Sequence, residues 1–310
     1  MTGVRRLAEA ALKPGTGAPD EGESWSILRM ILWSAEYLSN KGVESGRLDA
    51  EWLLSTALGV DRLQLYLQYD RPLSSEEREV FKPLLRRRAN REPLQYIIGR
   101  AAFRNLELKT DSRVLIPRPE TEVLVQEVLD WASAREGKVG RVWDLGTGTG
   151  AVGLSLATEG ACTGVVATDV SAQALCVAVE NAKRYDEGGL VEFREGSLFE
   201  ALKPGERFDV IVSNPPYIAD AEKGELQLEV RDWEPDVALF AGEHGMDVLE
   251  PLVAGAPEHL CSGGLLALEC GLGQADQVAT DLDETDSFAS IRIRPDLTGR
   301  PRFVMAERKT

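Results

Sequence analysis

The sequence predicts an α/β fold in which a doubly wound, mostly parallel sheet follows a small N-terminal helical bundle. Three observations predict it. From Arg141 onward, short β-branched runs alternate with helical stretches, the pattern of repeated βα units. The first of these runs ends in a turn carrying Gly146, Gly148 and Gly150. Residues 25–90, by contrast, place their apolar side chains at helical spacing.

The elements follow in order. Residues 14–24 are rich in Gly, Pro and acids, and 1–24 read as a disordered lead-in. Arg5 and Arg6 are followed by no apolar stretch, so the pattern is not that of a secretory signal. Residues 25–92 form the helical domain: one helix runs from Trp25 to Leu38, a second carries Leu48, Trp52, Leu53, Ala57 and Leu58, and Gly59 closes it. Ser74-Ser75-Glu76-Glu77 carries capping chemistry and opens a further helix to about Ala89. Residues 93–118 are a junction in which Phe103, Leu106 and Leu108 alternate as in a strand. The stiff turn 116–122 then leads into a helix over 123–134, and 119–310 is the α/β domain. Its strands are expected at 142–145, 163–170, 190–194, 208–213 and 265–269, with a terminal pair at 288–293 and 302–306. Helices are expected at 151–157 and 171–185.

Composition narrows the function classes. At 310 residues the chain has room for two domains of roughly 100–200 residues each. No apolar run approaches the ~18–20 residues of a membrane helix. The four cysteines, Cys162, Cys176, Cys261 and Cys270, form no metal-ligand spacing, so no metal is expected. Neither His244 nor His259 sits in a recognisable triad. Residues 1–110 hold 17 basic and 15 acidic side chains, whereas 111–310 hold 18 and 36, net −18. That acidic part should be repelled by a phosphate backbone. The one basic cluster is Arg86-Arg87-Arg88 with Lys82 and Arg91, readable as a solvated helix face or as a contact for RNA or an acidic protein.

Two segments carry chemistry. The turn Asp144-Leu145-Gly146-Thr147-Gly148-Thr149-Gly150 lets a backbone approach a ligand closely, and Asp169, 25 residues after Asp144, can accept hydrogen bonds from both hydroxyls of a ribose. Together they specify an adenosine-containing cofactor. Gly148-x-Gly150-x-x-Gly153 also fits the dinucleotide fingerprint, but Asp144 inside the strand could hold the ammonium of a methionine moiety. The second segment, Asn214-Pro215-Pro216-Tyr217, directly follows the strand 208–213. Its two prolines stiffen the backbone and remove two N–H donors. The Asn214 side-chain oxygen and the Pro215 carbonyl can then accept both hydrogens of a planar amino group, and Tyr217 can pack against it. Such a corner suits in-line methyl transfer by positioning, with no metal and no strong base.

Asn214-Pro215-Pro216-Tyr217-Ile218 after this glycine turn resembles the amino-methyltransferases that act on adenine or glutamine nitrogen. Residues 93–99 (PLQYIIG), 115–122 (LIPRPETE), 230–235 (VRDWEP) and the ending 296–300 (DLTGR) resemble, more narrowly, the release factor glutamine methyltransferase family (HemK/PrmC type). The resemblance runs from about residue 25 to 308. It implies a Rossmann-like class I methyltransferase domain behind a helical domain that grips a release factor, S-adenosyl-L-methionine as cofactor with S-adenosyl-L-homocysteine as product, and the glutamine of a Gly-Gly-Gln loop as substrate. It also implies that Gly146, Thr147, Gly148, Thr149 and Gly150 line the methionine and ribose, that Asp169 meets the ribose, and that Asn214, Pro215, Pro216 and Tyr217 hold the target amide, with Asn214 also contacting the bound cofactor. Phe103 and the turn 118–122 would help wall the pocket. Where the family has an acid followed by an aromatic near the adenine, this sequence has Ser197 and Leu198, which can still hydrogen-bond and pack on a purine. A cytoplasmic monomer that binds neither DNA nor membrane is expected. The sequence admits two other readings: methylation of adenine in DNA or RNA, which shares the Asn214 corner but needs a basic surface to hold a flipped base, and a non-enzymatic nucleotide-binding module, which leaves that corner unexplained.

Overall fold

The structure is a computed structural model that describes residues 24–135, 139–160 and 162–310. Residues 1–23, within the expected lead-in, lie outside the described residues. The chain divides after Arg91 into two compact units.

The first unit consists of helices α1 (Ile27–Ser39), α2 (Gly46–Leu58), α3 (Arg62–Leu67) and α4 (Ser75–Ala89). Ile31, Leu38, Leu53, Leu54, Leu65 and Phe81 are buried in it. The helix ends follow local chemistry. Ser26 accepts from the Arg29 amide, Gly59 takes the left-handed conformation that ends α2, and Ser74 and Glu77 close a reciprocal capping box. The short helix α3 was not anticipated. The basic cluster is not uniformly a solvated face: Arg88 turns inward, and its Nε donates to Asp49 at 2.6 Å with both side chains buried. Ser45 donates to the other Asp49 oxygen at 2.8 Å, and Arg91 donates to the Gly42 carbonyl.

The second unit opens with α5 (Leu94–Ile98) and a hairpin of β1 (Arg100–Phe103) and β2 (Leu106–Lys109). Then come α6 (Pro119–Ser133), β3 (Val139–Leu145), α7 (Ala151–Thr158), β4 (Cys162–Asp169), α8 (Ala172–Tyr185), β5 (Val191–Glu195) and β6 (Phe208–Ser213). The chain ends with α9 (Leu228–Arg231), α10 (Leu249–His259), β7 (Leu260–Glu269), α11 (Ala275–Glu284), β8 (Phe288–Pro295) and β9 (Pro301–Arg308). The seven-stranded sheet has the order β5-β4-β3-β6-β7-β9-β8. β3 to β7 pair in parallel, and β9 runs antiparallel to both β7 and β8. A buried cluster covers each face: Leu124, Val125, Leu154 and Val165 on one, Trp143, Ile211, Leu252 and Val278 on the other. This is the doubly wound, mostly parallel sheet that the sequence predicts.

Further features differ from the sequence expectation, which did not include the short helices α5 and α9. Helix α6 starts at Pro119, not after the turn, because proline at the first helical position gives up an N–H that has no partner there, and Glu120 and Glu122 favour the positive helix end. Thr121 therefore lies in a first helical turn. Helices α10 and α11 were not anticipated; Gly255 and Pro257 break the helical signature of α10, yet its face of Leu249, Leu252, Val253 and Ala256 is buried against the sheet.

The glycine turn is latched from below. Asp144 is buried, and its Oδ2 accepts from the Thr147 hydroxyl at 2.6 Å and the Gly153 amide at 2.9 Å. The approach is close: a Cβ on Gly153 would stand 3.0 Å from that oxygen and 3.2 Å from Val165, so a neighbour would have to give by a few tenths of an ångström. Burial lifts the Asp144 carboxyl from 3.8 to about 6. Between those values the folded protein keeps a proton that the unfolded chain has lost, so stability falls as pH rises through this window.

Asp144→Asn keeps an oxygen acceptor for Thr147 and Gly153 but has no charge to bury. Its stability relative to the native protein is expected to rise by about 2–3 kcal/mol between about pH 4 and about pH 6 and to level off above, read from urea unfolding. In the first unit, Arg88→Ala strands a buried carboxylate and should cost about 3–5 kcal/mol, whereas the exposed Arg86→Ala should stay within about 0.5 kcal/mol in the same experiment.

Candidate active site

The strand order reverses between β3 and β6, the topological switch point where open α/β sheets offer a crevice at their carboxyl ends. Leu145 pairs with Ser213, and the Ser213 hydroxyl donates to the Leu145 carbonyl at 2.8 Å. The next residue on one strand is Gly146 and on the other Asn214, so the glycine turn and the proline corner emerge side by side. A Cβ placed on Gly146 would be 3.9 Å from the Asn214 carbonyl oxygen.

A cavity of about 310 Å³ opens here. Gly146, Gly148, Asp169, Ser197, Leu198, Asn214 and Pro216 lie on its wall. Gly146 and Gly148 have positive φ, and at Gly148 the space a side chain would enter is open. Asp169 closes β4, and its two oxygens accept from the Gly148 and Ser171 amides at 2.9 Å each. Burial pushes its carboxyl up while those amides hold it down. Leu198, on the same wall, has φ +45, a costly conformation for leucine.

Asp144, Thr147, Thr149, Gly150, Pro215 and Tyr217 are not on that wall. Asp144 and Thr147 bond to one another beneath the turn, where Asp144 acts as a latch. The Thr149 carbonyl accepts from Asn181, whose amide also bridges both backbone groups of Lys109 and so ties the hairpin to the turn. Gly150, with φ +84, caps α7. Phe103 is likewise not on the wall; it is buried in the core with Leu108, Leu124 and Val125, because strand alternation turns it inward.

The proline corner is held at both ends. The Asn214 amide nitrogen donates to Thr121 Oγ1 at 2.9 Å, and Thr121 donates to Glu269 Oε2 at 2.8 Å. Tyr217 donates to Glu269 Oε1 at 3.3 Å, and the Arg302 guanidinium lies over its ring. The Tyr217 ring thus packs back into the protein, and burial raises its phenol. The Tyr217 carbonyl accepts from Gln274 Nε2 at 2.9 Å, and Ile218 bridges to Phe240. Asn214 Oδ1 meets no donor among the described residues.

Two of the segments that carry the resemblance meet at Glu234. This buried carboxylate takes the Arg118 guanidinium at 2.6 Å and the Ile116 amide at 3.3 Å, and burial raises its carboxyl against the pull of Arg118. Trp233 packs on Tyr96 and Ile116, and Tyr96 donates to the Val114 carbonyl at 2.6 Å. Sequence reasoning missed Val114, Pro235, Val237, Phe240, Asp247 and Val248 on the cavity wall. Only Pro235 lay in a segment with a signal; the others arrive by long-range packing. It also missed Glu269 and Gln274. Among the described residues no group of His, Cys, Asp and Glu could hold a metal ion, and no helix is long and apolar enough to cross a membrane.

The fold is similar to a methyltransferase from Pyrococcus furiosus (TM-score 0.50, 19% identity, 66% of this chain and 90% of that one). It is also similar to the hMettl16 catalytic domain in complex with MAT2A 3′UTR hairpin 1 (TM-score 0.53, 16% identity, 73% and 80%). At such identities the likeness is one of fold. The family model of the PrmC N-terminal domain matches residues 29–99, and that of the methyltransferase small domain matches residues 119–229. The release factor glutamine methyltransferase of Geobacter sulfurreducens is 45% identical over 285 residues, covering 92% of this chain and 98% of that protein. Its namesake from Xylella fastidiosa strain Temecula1 is 46% identical over 262 residues, covering 84% and 92%. With such identity along nearly the whole length, the chain belongs to the release factor glutamine methyltransferase family.

Proposed function

We propose that this enzyme methylates the side-chain amide nitrogen of the glutamine in the Gly-Gly-Gln motif of peptide chain release factors, using S-adenosyl-L-methionine. One observation carries the reading: Asn214 lies on the cavity wall beside the glycine turn, with its amide nitrogen committed to Thr121 and its amide oxygen without a donor among the described residues. The family membership names the substrate class.

The residues fit the cofactor. Gly146 and Gly148 leave backbone open to close approach, Asp169 offers acceptors for ribose hydroxyls, and Leu198 and Val248 supply apolar wall. When bound, the cofactor supplies a methyl group on a positively charged sulfur. Gly146, Gly148, Asp169, Ser197 and Leu198 would hold it. Asp144, Thr147, Thr149 and Gly150 would keep the turn in shape from behind.

Asn214 Oδ1 would accept one N–H group of the target amide at the cavity wall, and the Pro215 carbonyl, one residue on and just off that wall, would accept the other. That fixes the nitrogen in the plane and draws electron density toward it, and rigid positioning then does most of the work. Pro216 stiffens the corner, and Tyr217 anchors its far end through Glu269 and Arg302. The helical domain, residues 25–92, would recognise the release factor, with 93–118 as junction and 119–310 as the catalytic domain. The enzyme would act as a cytoplasmic monomer. An adenine substrate is disfavoured: residues 111–310 carry 36 acidic against 18 basic side chains, a poor surface for a phosphate backbone.

With methyl-labelled cofactor, the protein should label a release factor but not its Gly-Gly-Gln→Gly-Gly-Ala variant; label in both would mean that another residue is the target. Asn214→Ala should lower kcat about 100-fold or more, the scale of losing one aligned acceptor, with thermal unfolding and cofactor affinity near native. Native turnover in that variant would sink the amide clamp.

A further inference from the structure

Asparagine is a poor acceptor unless something decides which end of its amide faces the ligand. The oxygen and nitrogen ends are nearly equal in size, so packing alone does not choose between them. At Asn214 the choice is made by a relay. The amide nitrogen donates to Thr121 Oγ1 at 2.9 Å. A hydroxyl has a single proton, and the Thr121 proton is committed inward, to Glu269 Oε2 at 2.8 Å. Only lone pairs are left facing Asn214. If the amide were turned over, Oδ1 would meet those lone pairs and the bond would be replaced by repulsion.

The polarity of Thr121 is in turn set by Glu269, at the end of β7 and wholly buried. Its other oxygen, Oε1, accepts from Tyr217 Oη and from the Arg302 guanidinium at 3.3 Å each. Arg302 also donates to the Tyr217 oxygen. A cation and a hydroxyl on that side require an acceptor there, and a carboxylate supplies acceptors on both sides. One buried carboxylate therefore reaches both ends of the four-residue corner, one through Thr121 and the other directly.

We infer that Thr121 and Glu269 are positioning residues for methyl transfer: they fix the amide of Asn214 with its oxygen toward the target nitrogen. Neither touches the substrate; both act through Asn214. The inference rests on the amide-clamp reading above and adds to it the source of the clamp's polarity. It makes a particular demand on Glu269→Gln. Arg302 and Tyr217 would draw the glutamine oxygen to their side, leaving its amino group facing Thr121. Thr121 would then accept from the glutamine and turn its own proton toward Asn214, pinning the wrong end of that amide.

The test compares Thr121→Val, Thr121→Ser and Glu269→Gln with the native enzyme. Three readouts are taken on each: kcat on a release factor, S-adenosylmethionine affinity by calorimetry, and thermal unfolding. Thr121→Val and Glu269→Gln should each lower kcat about 10-fold to 100-fold, with cofactor affinity within about 3-fold of native, and Thr121→Ser should restore kcat to within about 3-fold. Glu269→Gln keeps a hydrogen-bonding side chain of the same shape, so it reads polarity even where Thr121→Val loses stability. Native kcat in Glu269→Gln, a loss in Thr121→Ser as large as in Thr121→Val, or a loss that appears wholly as weaker cofactor binding would each overturn the inference. Asn214→Ala is assayed in parallel. If it is impaired while Thr121→Val and Glu269→Gln turn over normally, the relay alone fails; if it too is native, the clamp itself fails.

Discussion

The parallel pairing of β3 with β6 is the constraint on which the site depends. Their register sets Leu145 against Ser213, and both strands end at the same level. The glycine turn and the Asn214 corner, 68 residues apart between Gly146 and Asn214, therefore emerge as neighbours. Moving either strand by one residue would exchange the faces of its side chains, so the buried Trp143 and Ile211 on one face, and Val142 and Val210 on the other, hold the register that the chemistry needs.

Around that adjacency the protein places buried carboxylates in supporting roles. Asp144 latches the glycine turn, Glu234 joins the segment before α6 to the segment before Val237, and Glu269 reaches both ends of the proline corner. Each is lifted by burial and compensated by specific donors. None of the three is on the cavity wall. Burial of this kind is costly, and it gives direction: a carboxylate with fixed donors imposes one arrangement where an apolar contact would allow several.

The helical unit shows the same contrast between surface and interior. An arginine run that reads as a single basic patch is divided by the helix period, with Arg88 buried on Asp49 and Arg86 and Arg87 exposed. Charge counts in sequence therefore overstate the basic surface available to a partner.

Local signals were legible without coordinates. The capping box at Ser74 and Glu77, the helix end at Gly59, strand β6 and the glycine turn each depend on residues close in sequence, and so does the stiffness of Asn214-Pro215-Pro216-Tyr217. Alternating βα units sufficed for the parallel sheet. What the sequence alone determined was therefore the fold class, the two chemical segments and the family they resemble. The tertiary structure decided the rest: that Asp144 faces inward, that Phe103 is core, that α6 begins at Pro119, and that Thr121 and Glu269 stand behind Asn214. The physical reason is separation along the chain. A hydrogen bond between residues 148 positions apart, as between Thr121 and Glu269, leaves no local pattern and exists only once the sheet has brought its strand ends to one edge.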